Sequence, residues 1–284
     1  MNTQSAPDFY VNHGEWSDPR ALKWAFDDIE AKPAAIAATV QGLLLHDYFG
    51  SHLYADPPDE IDTASRSTLP IAERLPTLHD FGNTTLSDAR STKNRRVGTC
   101  RDFALLTCSI MRHHGIPSRV RCGFARYFHP PTFEDHWTCE YWDPRNRSWK
   151  MVDAQLDHAH VEHLSIAFDT SNVPKEEFLF PWEVWEAHRS QMERLVAFGH
   201  GDATGFWFVR VNLARDFLAL NKVEASSWDT WRDQVDDDKL MNDSALAECD
   251  ELARAAKYFD TSDQIDPTSY EELAQRIGKP HWQT

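Results

Sequence analysis

The sequence has no CxxC pair, no basic stripe and no long apolar run. Its five cysteines, an odd number, are scattered singly among 284 residues, which favours reduced thiols in the cytoplasm over a disulfide framework. No stretch approaches the roughly 18 apolar residues that a membrane span needs. The segment Met1 to Tyr10 lacks the basic and apolar parts of a signal peptide. We therefore expect a cytoplasmic protein with no membrane partner.

Basic residues are in the minority, with 29 Lys and Arg against 45 Asp and Glu and a net charge of -16. Proteins that bind nucleic acids usually carry a basic patch, so we expect no nucleic-acid partner. An acidic surface favours cationic substrates. With 41% hydrophobic and 26% charged residues, the composition is that of an ordinary globular protein.

The first hundred residues contain few strand signals. Ser17-Asp18-Pro19 is a helix start signal, with a capping residue before Pro at the first helical position. A second helix is predicted from Pro33 to Gly50, because several apolar residues share one face. Residues 50–70, with Pro57-Pro58 and many polar side chains, predict a long surface loop.

The middle of the chain changes from helical to strand periodicity. Apolar residues at helical spacing predict a helix over 100–114, which Gly115 ends. After Pro117 the alternation of Val120, Cys122 and Phe124 with polar residues and glycine predicts a strand. Two further strands are predicted at 136–142 and 147–153, joined by turn residues.

Strand signals end at Pro174, and the rest of the chain looks helical. The predicted helical segments are 181–199, 205–221, 226–238, 243–258 and 268–277. We therefore predict an α+β core with a helical N-terminal segment at 1–173 and a mainly helical accessory region at 174–284.

Cys100 is the candidate nucleophile. A thiol attacks a carbonyl as the thiolate, which forms more readily at a helix N-terminus or beside a histidine. Cys100 begins the predicted helix, directly after Gly98-Thr99. The small glycine would let a substrate approach closely, and the amides of the first helical turn are candidate donors to an oxyanion.

His136 and Asp153 are the candidate partners of Cys100. His136 opens the aromatic strand and Asp153 ends the next one. If Pro144-Arg145 forms a two-residue turn, the pairing puts these two residues directly opposite, about 5 Å apart between Cβ atoms. A longer loop with a bulge at Asn146 suits Pro equally well and shifts the register. In either case Asp153 would orient His136 and stabilise its charged form.

Four motifs together resemble the transglutaminase-like superfamily. GTCRDFA at 98–104 is similar to the nucleophile motif, and GIPSRV at 115–120 to the segment before the first core strand. HWTCEY at 136–141 and WKMVD at 149–153 are similar to the histidine and aspartate strands. The resemblance spans roughly residues 75–157. It implies a papain-like core, with the cysteine helix packed on an antiparallel sheet, and a Cys100-His136-Asp153 catalytic triad. The substrate is not fixed by this core, because transglutaminases, cysteine peptidases and peptide N-glycanases share it.

The remaining cysteines and histidines have plainer interpretations. Cys108, Cys122 and Cys139 fall within predicted elements and are expected in the core. Residues 157–163 hold three histidines and two carboxylates, but metal ligands usually come from separate elements. A polar surface turn is therefore the better interpretation. We predict no cofactor and no bound metal.

Three functional hypotheses follow from these residues. The first is a cysteine-dependent acyl-transfer enzyme, an amide or peptide hydrolase or a transglutaminase, that forms a thioester on Cys100. Its substrate would be a peptide, a protein or a small amide. The alternative is a non-enzymatic peptide- or protein-binding module on the same fold. The third is a metalloprotein built on residues 157–163.

Overall fold

The computed structural model describes residues 3–59, 61, 69–79, 85–224 and 242–277. The chain forms two compact units. The first unit comprises residues 1–9, 121–136 and 175–284, and the second comprises residues 10–120 and 137–174. Helices and strands occur in both units, so the predicted α+β class is confirmed. The predicted division of the chain at residue 173 stays a prediction.

The elements in chain order are as follows. The helices are α1 (Ala6–Tyr10), α2 (Pro33–Leu43), α3 (Asp47–Leu53), α4 (Ile71–His79), α5 (Cys100–His113), α6 (His158–His163), α7 (Pro181–His188), α8 (Phe206–Leu220), α9 (Asp243–Thr261) and α10 (Glu271–Ile277). The strands are β1 (Gln4–Ser5), β2 (Leu44–His46), β3 (Arg96–Gly98), β4 (Ser118–Ala125), β5 (Phe133–Asp143), β6 (Ser148–Val152), β7 (Phe178–Leu179), β8 (Phe198–His200), β9 (Ala203–Thr204) and β10 (Gln264–Ile265). Short 3-10 helices lie at Arg20–Phe26, Thr92–Asn94, Lys175–Glu177 and Met192–Ala197.

In the second unit, the helix predicted from Pro33 to Gly50 is interrupted. Helix α2 ends at Leu43, and strand β2 follows before α3 begins at Asp47. β2 pairs in parallel with β3, so that Leu44 is opposite Arg96 and His46 is opposite Gly98. Leu44 and Leu45 are almost fully buried. The single-helix prediction was wrong, because these leucines make their hydrogen bonds with a strand remote in sequence.

The predicted helix start at Ser17-Asp18-Pro19 produces a 3-10 helix, Arg20–Phe26, directly after Pro19. In the segment predicted as a loop, α3 continues to Leu53. Much of the rest of this segment, residues 60 and 62–68, lies outside the described residues.

The alternation of apolar and polar residues in β4 predicts a strand with one buried face. In the structure all eight residues of β4 are buried. In the second unit, the Arg119 Nε donates to Glu140 Oε2 at 2.8 Å. Its guanidinium also lies 4.3 Å from the ring centroid of Trp149. An arginine that is paired and stacked in this way can face a core.

The strand segments of the first unit belong to a sheet with the order β7-β4-β5-β8-β9. β4 and β7 are antiparallel, and β5 and β8 are parallel. A separate two-stranded sheet joins β1 to β10. The prediction that strands end at Pro174 was therefore wrong. Strands of two or three residues are too short to show the period-2 pattern on which sequence reasoning depends.

The helices of the first unit centre on α8, which is buried along nearly its whole length and packs against α7 and α9. Of the predicted helix 181–199, only Pro181–His188 is α-helical, and a 3-10 helix at Met192–Ala197 follows. The predicted segment 226–238 lies outside the described residues. Within the described ranges, no helix combines the length and the apolar character needed to cross a membrane.

Candidate active site

Cys100 is the first residue of α5. All residues from Arg101 to Arg112 are buried, so this helix is part of the core of the second unit. Gly115, at φ +71°, ends it as predicted, and the Ile116 N–H donates to the Met111 carbonyl at 2.9 Å. Positive φ suits glycine. The helix thus fixes Cys100 at its N-terminus, where the backbone amides favour a thiolate.

Asp102 secures the start of this helix. Its Oδ2 accepts hydrogen bonds from the Thr99 N–H at 2.8 Å and from the Thr99 Oγ1 at 3.2 Å. Its Oδ1 accepts one from Arg74 Nη2 at 2.6 Å, and Arg74 Nη1 donates to the Val97 carbonyl at 3.3 Å. The side chains of Arg74 and Asp102 are only 10% and 5% exposed. A buried ion pair therefore joins α4 to both β3 and the first turn of α5.

Gly98 is in contact with this carboxylate. A Cβ at position 98 would lie 3.0 Å from Asp102 Cβ and 3.1 Å from its Oδ2. Sequence reasoning assigned this glycine to the approach of a substrate. The structure adds a second reason for it, because any larger residue would displace the Asp102 side chain.

His136 lies in the first unit, on β5, and is buried. Aromatic rings surround its imidazole: the ring centroids of Phe128, Tyr127 and Phe178 lie 4.8, 6.0 and 6.4 Å away. Edge-on contacts of this kind hold a side chain in one orientation.

Asp153 lies in the second unit, directly after β6, and is buried. Its Oδ1 accepts a hydrogen bond from the Gln155 N–H at 3.0 Å, and its own N–H donates to the Thr170 carbonyl at 2.8 Å. Backbone contacts on both sides therefore fix this residue.

The register of β5 and β6 differs from that of a two-residue turn. Asp143 pairs with Ser148 and Cys139 with Val152, so the connecting loop has four residues, 144–147. One step further along this register, Asp153 is level with Thr138 rather than with His136. The direct pairing was wrong, and the longer loop is the observed one. Side chains alternate along a strand, so His136 and Thr138 share a face of β5.

Cys100 is partly exposed, whereas the other four cysteines, all within the described residues, are buried. Burial raises the pKa of the Cys139 thiol well above its usual value and that of Cys249 to about 12. Cys139 and Cys249 are therefore poor nucleophiles, because the thiolate is the reactive form. Cys108 and Ser118 lie in contact, 3.4 Å between Sγ and Oγ.

The histidine-rich segment 157–163 forms α6, which Asp157 caps. Asp157 Oδ1 lies 2.8 Å from His160 Nδ1, and its Oδ2 accepts a hydrogen bond from the Tyr54 hydroxyl. Arg95 lies 3.5 Å from the same oxygen. In the part of the chain that the structure describes, no group of three His, Cys, Asp or Glu side chains could hold a metal ion.

The structure thus places Cys100 and Asp153 in the second unit and His136 in the first. Their action as a triad stays a prediction. Sequence reasoning missed Arg74 and set Asp102 aside as a member of a surface or supporting ion pair. A signal for Asp102 was present, since Thr99-x-x-Asp102 has the spacing of a helix capping box.

The comparisons with known proteins agree with the motifs. The model of the transglutaminase-like superfamily matches residues 51–154, about a third of the chain, and this range contains Cys100, His136 and Asp153. The match confirms the resemblance predicted from the four motifs. No curated protein sequence matches the chain.

A solved structure of a proposed cysteine protease from Cytophaga hutchinsonii is 19% identical to the chain. The alignment covers 54% of this chain and 43% of that one, with a TM-score of 0.35. The chain therefore spans less than half the length of that protein.

Proposed function

Because residues 51–154 carry a transglutaminase-like core, we propose that the protein is a cysteine-dependent acyl-transfer enzyme. Cys100 is its nucleophile, His136 its general base and acid, and Asp153 the residue that orients His136. One observation carries the proposal: of the five cysteines, only Cys100 combines partial exposure with the first position of a long helix.

The first half-reaction forms a thioester. The Cys100 thiol gives its proton to His136. The resulting thiolate attacks the carbonyl carbon of an amide, a C–S bond forms, and the carbonyl electrons move to the oxygen. Backbone N–H groups of the first turn of α5 are candidate donors to this oxyanion. When the oxyanion collapses, the C–N bond breaks and His136 gives a proton to the departing amine.

The second half-reaction releases the acyl group. His136 takes a proton from water, the resulting hydroxide attacks the thioester, and the C–S bond breaks to return the Cys100 thiolate. An amine in place of water gives a new amide, as in a transglutaminase. We favour water, and an amide or a peptide as substrate.

The test uses p-nitrophenyl acetate as an activated acyl donor. We expect a burst of p-nitrophenolate and one acetyl group on Cys100, identified by peptide mass spectrometry. Cys100→Ala should abolish both signals. Cys249→Ala, which removes a buried thiol from the first unit, is the matched control and should retain both.

Variants of the other two residues test their roles. His136→Asn should lower the rate of acetylation by roughly 10²- to 10⁴-fold, the usual contribution of general acid–base catalysis. Asp153→Asn should lower it as well, with folding checked by circular dichroism. Wild-type Cys100 that stays unacetylated, and that iodoacetamide alkylates no faster than a free surface thiol, would refute the proposal.

The acyl acceptor is tested with methylamine. If water is the acceptor, acetate remains the main product when methylamine is present. Formation of N-methylacetamide as the main product would assign the protein to the transglutaminase type instead.

A further inference from the structure

The buried pair formed by Arg74 and Asp102 sets the charge around the candidate nucleophile. We propose that Arg74 is a positioning residue, which neutralises the Asp102 carboxylate so that the N-terminus of α5 stays electropositive at Cys100. This inference rests on the proposed function, in which Cys100 reacts as a thiolate. Arg74 acts through Asp102 and the helix backbone, rather than on a substrate.

The first step is that the helix start needs a hydrogen-bond acceptor at position 102, which Asp102 provides. The Thr99 N–H is buried at the start of the helix, and Asp102 Oδ2 accepts its hydrogen bond at 2.8 Å. A buried N–H without an acceptor destabilises the folded state. A Cβ added at Gly98 would lie 3.0–3.3 Å from three atoms of Asp102, so this side chain packs closely against the strand that leads to Cys100.

The second step is that this carboxylate works against a thiolate. Asp102 is two residues after Cys100, within the same helical turn, and is 5% exposed, so water screens its charge poorly. A nearby like charge raises the pKa of a thiol. An uncompensated Asp102 would therefore oppose the helix amides that favour the thiolate.

The third step is that Arg74 supplies the compensating charge. Its Nη2 lies 2.6 Å from Asp102 Oδ1, a length typical of a strong charge-assisted hydrogen bond. Its Nη1 donates to the Val97 carbonyl of β3 at 3.3 Å. One buried guanidinium thus holds the strand before Cys100 and cancels the charge after it.

Other charged or titratable groups lie on the neighbouring elements. Among the described residues they include His46 of β2, which is close to Asp47, Arg96 of β3, and Arg101 of α5, which stacks 4.9 Å from the Trp16 ring centroid. His136, the buried general base of the proposed function, is a further titratable group. The variants below leave all of them in place, so their contribution is constant throughout the series.

The experiment measures the rate of Cys100 alkylation by iodoacetamide against pH in the full chain, with the modified peptide quantified by mass spectrometry. The midpoint of this profile gives the thiol pKa. Arg74→Met should raise the midpoint by about one pH unit, and Asp102→Asn, which keeps an oxygen acceptor, should lower it by a similar amount. Arg74→Lys, which keeps the charge, should recover most of the shift.

Opposite shifts distinguish charge compensation from a purely structural role, because structural damage would move both midpoints the same way. Shifts of the same sign, or no shift, would overturn the inference. If a single variant does not fold, as judged by circular dichroism, the double variant Arg74→Met/Asp102→Asn tests the same balance of charge. The midpoint of its alkylation profile should lie near that of the wild type. A shift of the midpoint by more than about one pH unit overturns the inference. A wild-type midpoint near the free-thiol pKa of roughly 8.5 would instead refute the proposed function.

Discussion

The guanidinium of Arg121 and the carboxylate of Asp216 are joined by two parallel hydrogen bonds, each 2.9 Å long, and both side chains are wholly buried. Asp260 also contacts Arg121, at 2.7 Å, and the Phe180 ring centroid lies 3.4 Å from the guanidinium carbon. Burial raises the pKa of the Asp216 carboxyl, and the charge of Arg121 opposes this rise. This network ties strand β4 to helices α8 and α9 within the first unit.

Arg121→Met should therefore destabilise the protein strongly. It removes the guanidinium that contacts the carboxylates of Asp216 and Asp260, and breaking a buried pair in this way costs about 3–5 kcal/mol. The free energy of unfolding from urea titration measures the loss. Glu186→Gln is the control, because it breaks an ion pair at the surface. The side chains of Lys257 and Glu186 are 45% and 43% exposed. It should change the stability by less than about 1 kcal/mol. Similar losses in the two variants would contradict the prediction.

Gly98→Ala should impair both stability and the reactivity of Cys100. The new Cβ would lie 3.0–3.3 Å from three atoms of Asp102, so this side chain must shift. We expect a loss of about 1–3 kcal/mol, as in other overpacked sites, together with slower alkylation of Cys100.

Gly115→Ala is the control for this glycine. At position 115 a Cβ meets nothing within 4 Å, and the only penalty is the positive φ of +71°, worth about 1–2 kcal/mol. Its alkylation rate at Cys100 should equal that of the wild type. If Cys100 in Gly98→Ala is also alkylated at the wild-type rate, the close packing of Gly98 against Asp102 does not affect the reactivity of Cys100.

His13 should make the stability depend on pH below neutrality. Burial lowers its pKa to about 4, with a smaller effect from the charge of Arg112. The unfolded chain takes up this proton near the usual value of 6.5, whereas the folded protein does so only near pH 4. The contribution of His13 to the free energy of unfolding is therefore fully present above pH 6.5. It is lost as the pH falls from 6.5 to 4, because the unfolded chain binds the proton first.

His13→Gln removes this titration. Since His13 is partly solvated, we expect the wild type to lose about 1–2 kcal/mol more than the variant between pH 7.5 and 4.5. Urea titrations of both proteins at the two pH values measure the difference. Equal losses would show that His13 does not carry the effect.

Asp157 should stabilise the second unit at neutral pH. Burial alone would raise the pKa of its carboxyl, but hydrogen bonds from His160 and Tyr54 outweigh this effect and lower the pKa to about 2. The contribution is present above the unfolded pKa of roughly 4 and is lost as the pH falls from 4 to 2. Asp157→Asn should cost about 1–2 kcal/mol at pH 7 and progressively less below pH 4.

The control for Asp157 is Asp143→Asn. A hydrogen bond from Lys150 lowers the pKa of Asp143 to about 2 as well. The Lys150 side chain is 30% exposed, however, whereas His160, the partner of Asp157, is 3% exposed. We therefore expect a smaller loss at pH 7. Thermal unfolding followed by circular dichroism compares the two variants, and a larger loss in Asp143→Asn would contradict our assignment.

Elements defined by neighbours in sequence were predicted well. Helix α5 was predicted at 100–114 and observed at Cys100–His113, because its apolar spacing and the terminating Gly115 are both local. The three central strands follow equally local changes in period. The long helix at Pro33 failed, since Leu43, Leu44 and Leu45 suit a buried helix and a buried strand equally.

Features that depend on remote partners were not predicted. Arg119 and Arg121 were assigned to the polar positions of a strand, but Glu140 and Asp216 draw them into the core. Arg74 drew no attention, because its partner Asp102 is 28 residues away. The identities of the candidate site residues came from motifs, whereas the charges that surround them came only from the fold.

The parallel pairing of Leu44–His46 with Arg96–Gly98 has a consequence for the order of folding. Helix α5 can form from adjacent residues within microseconds, but β3 finds its partner only after about fifty residues close into a loop, at an entropic cost of roughly 3–4 kcal/mol. Contacts of this range slow folding. During refolding, helical circular dichroism should therefore return before the alkylation rate of Cys100 reaches its native value.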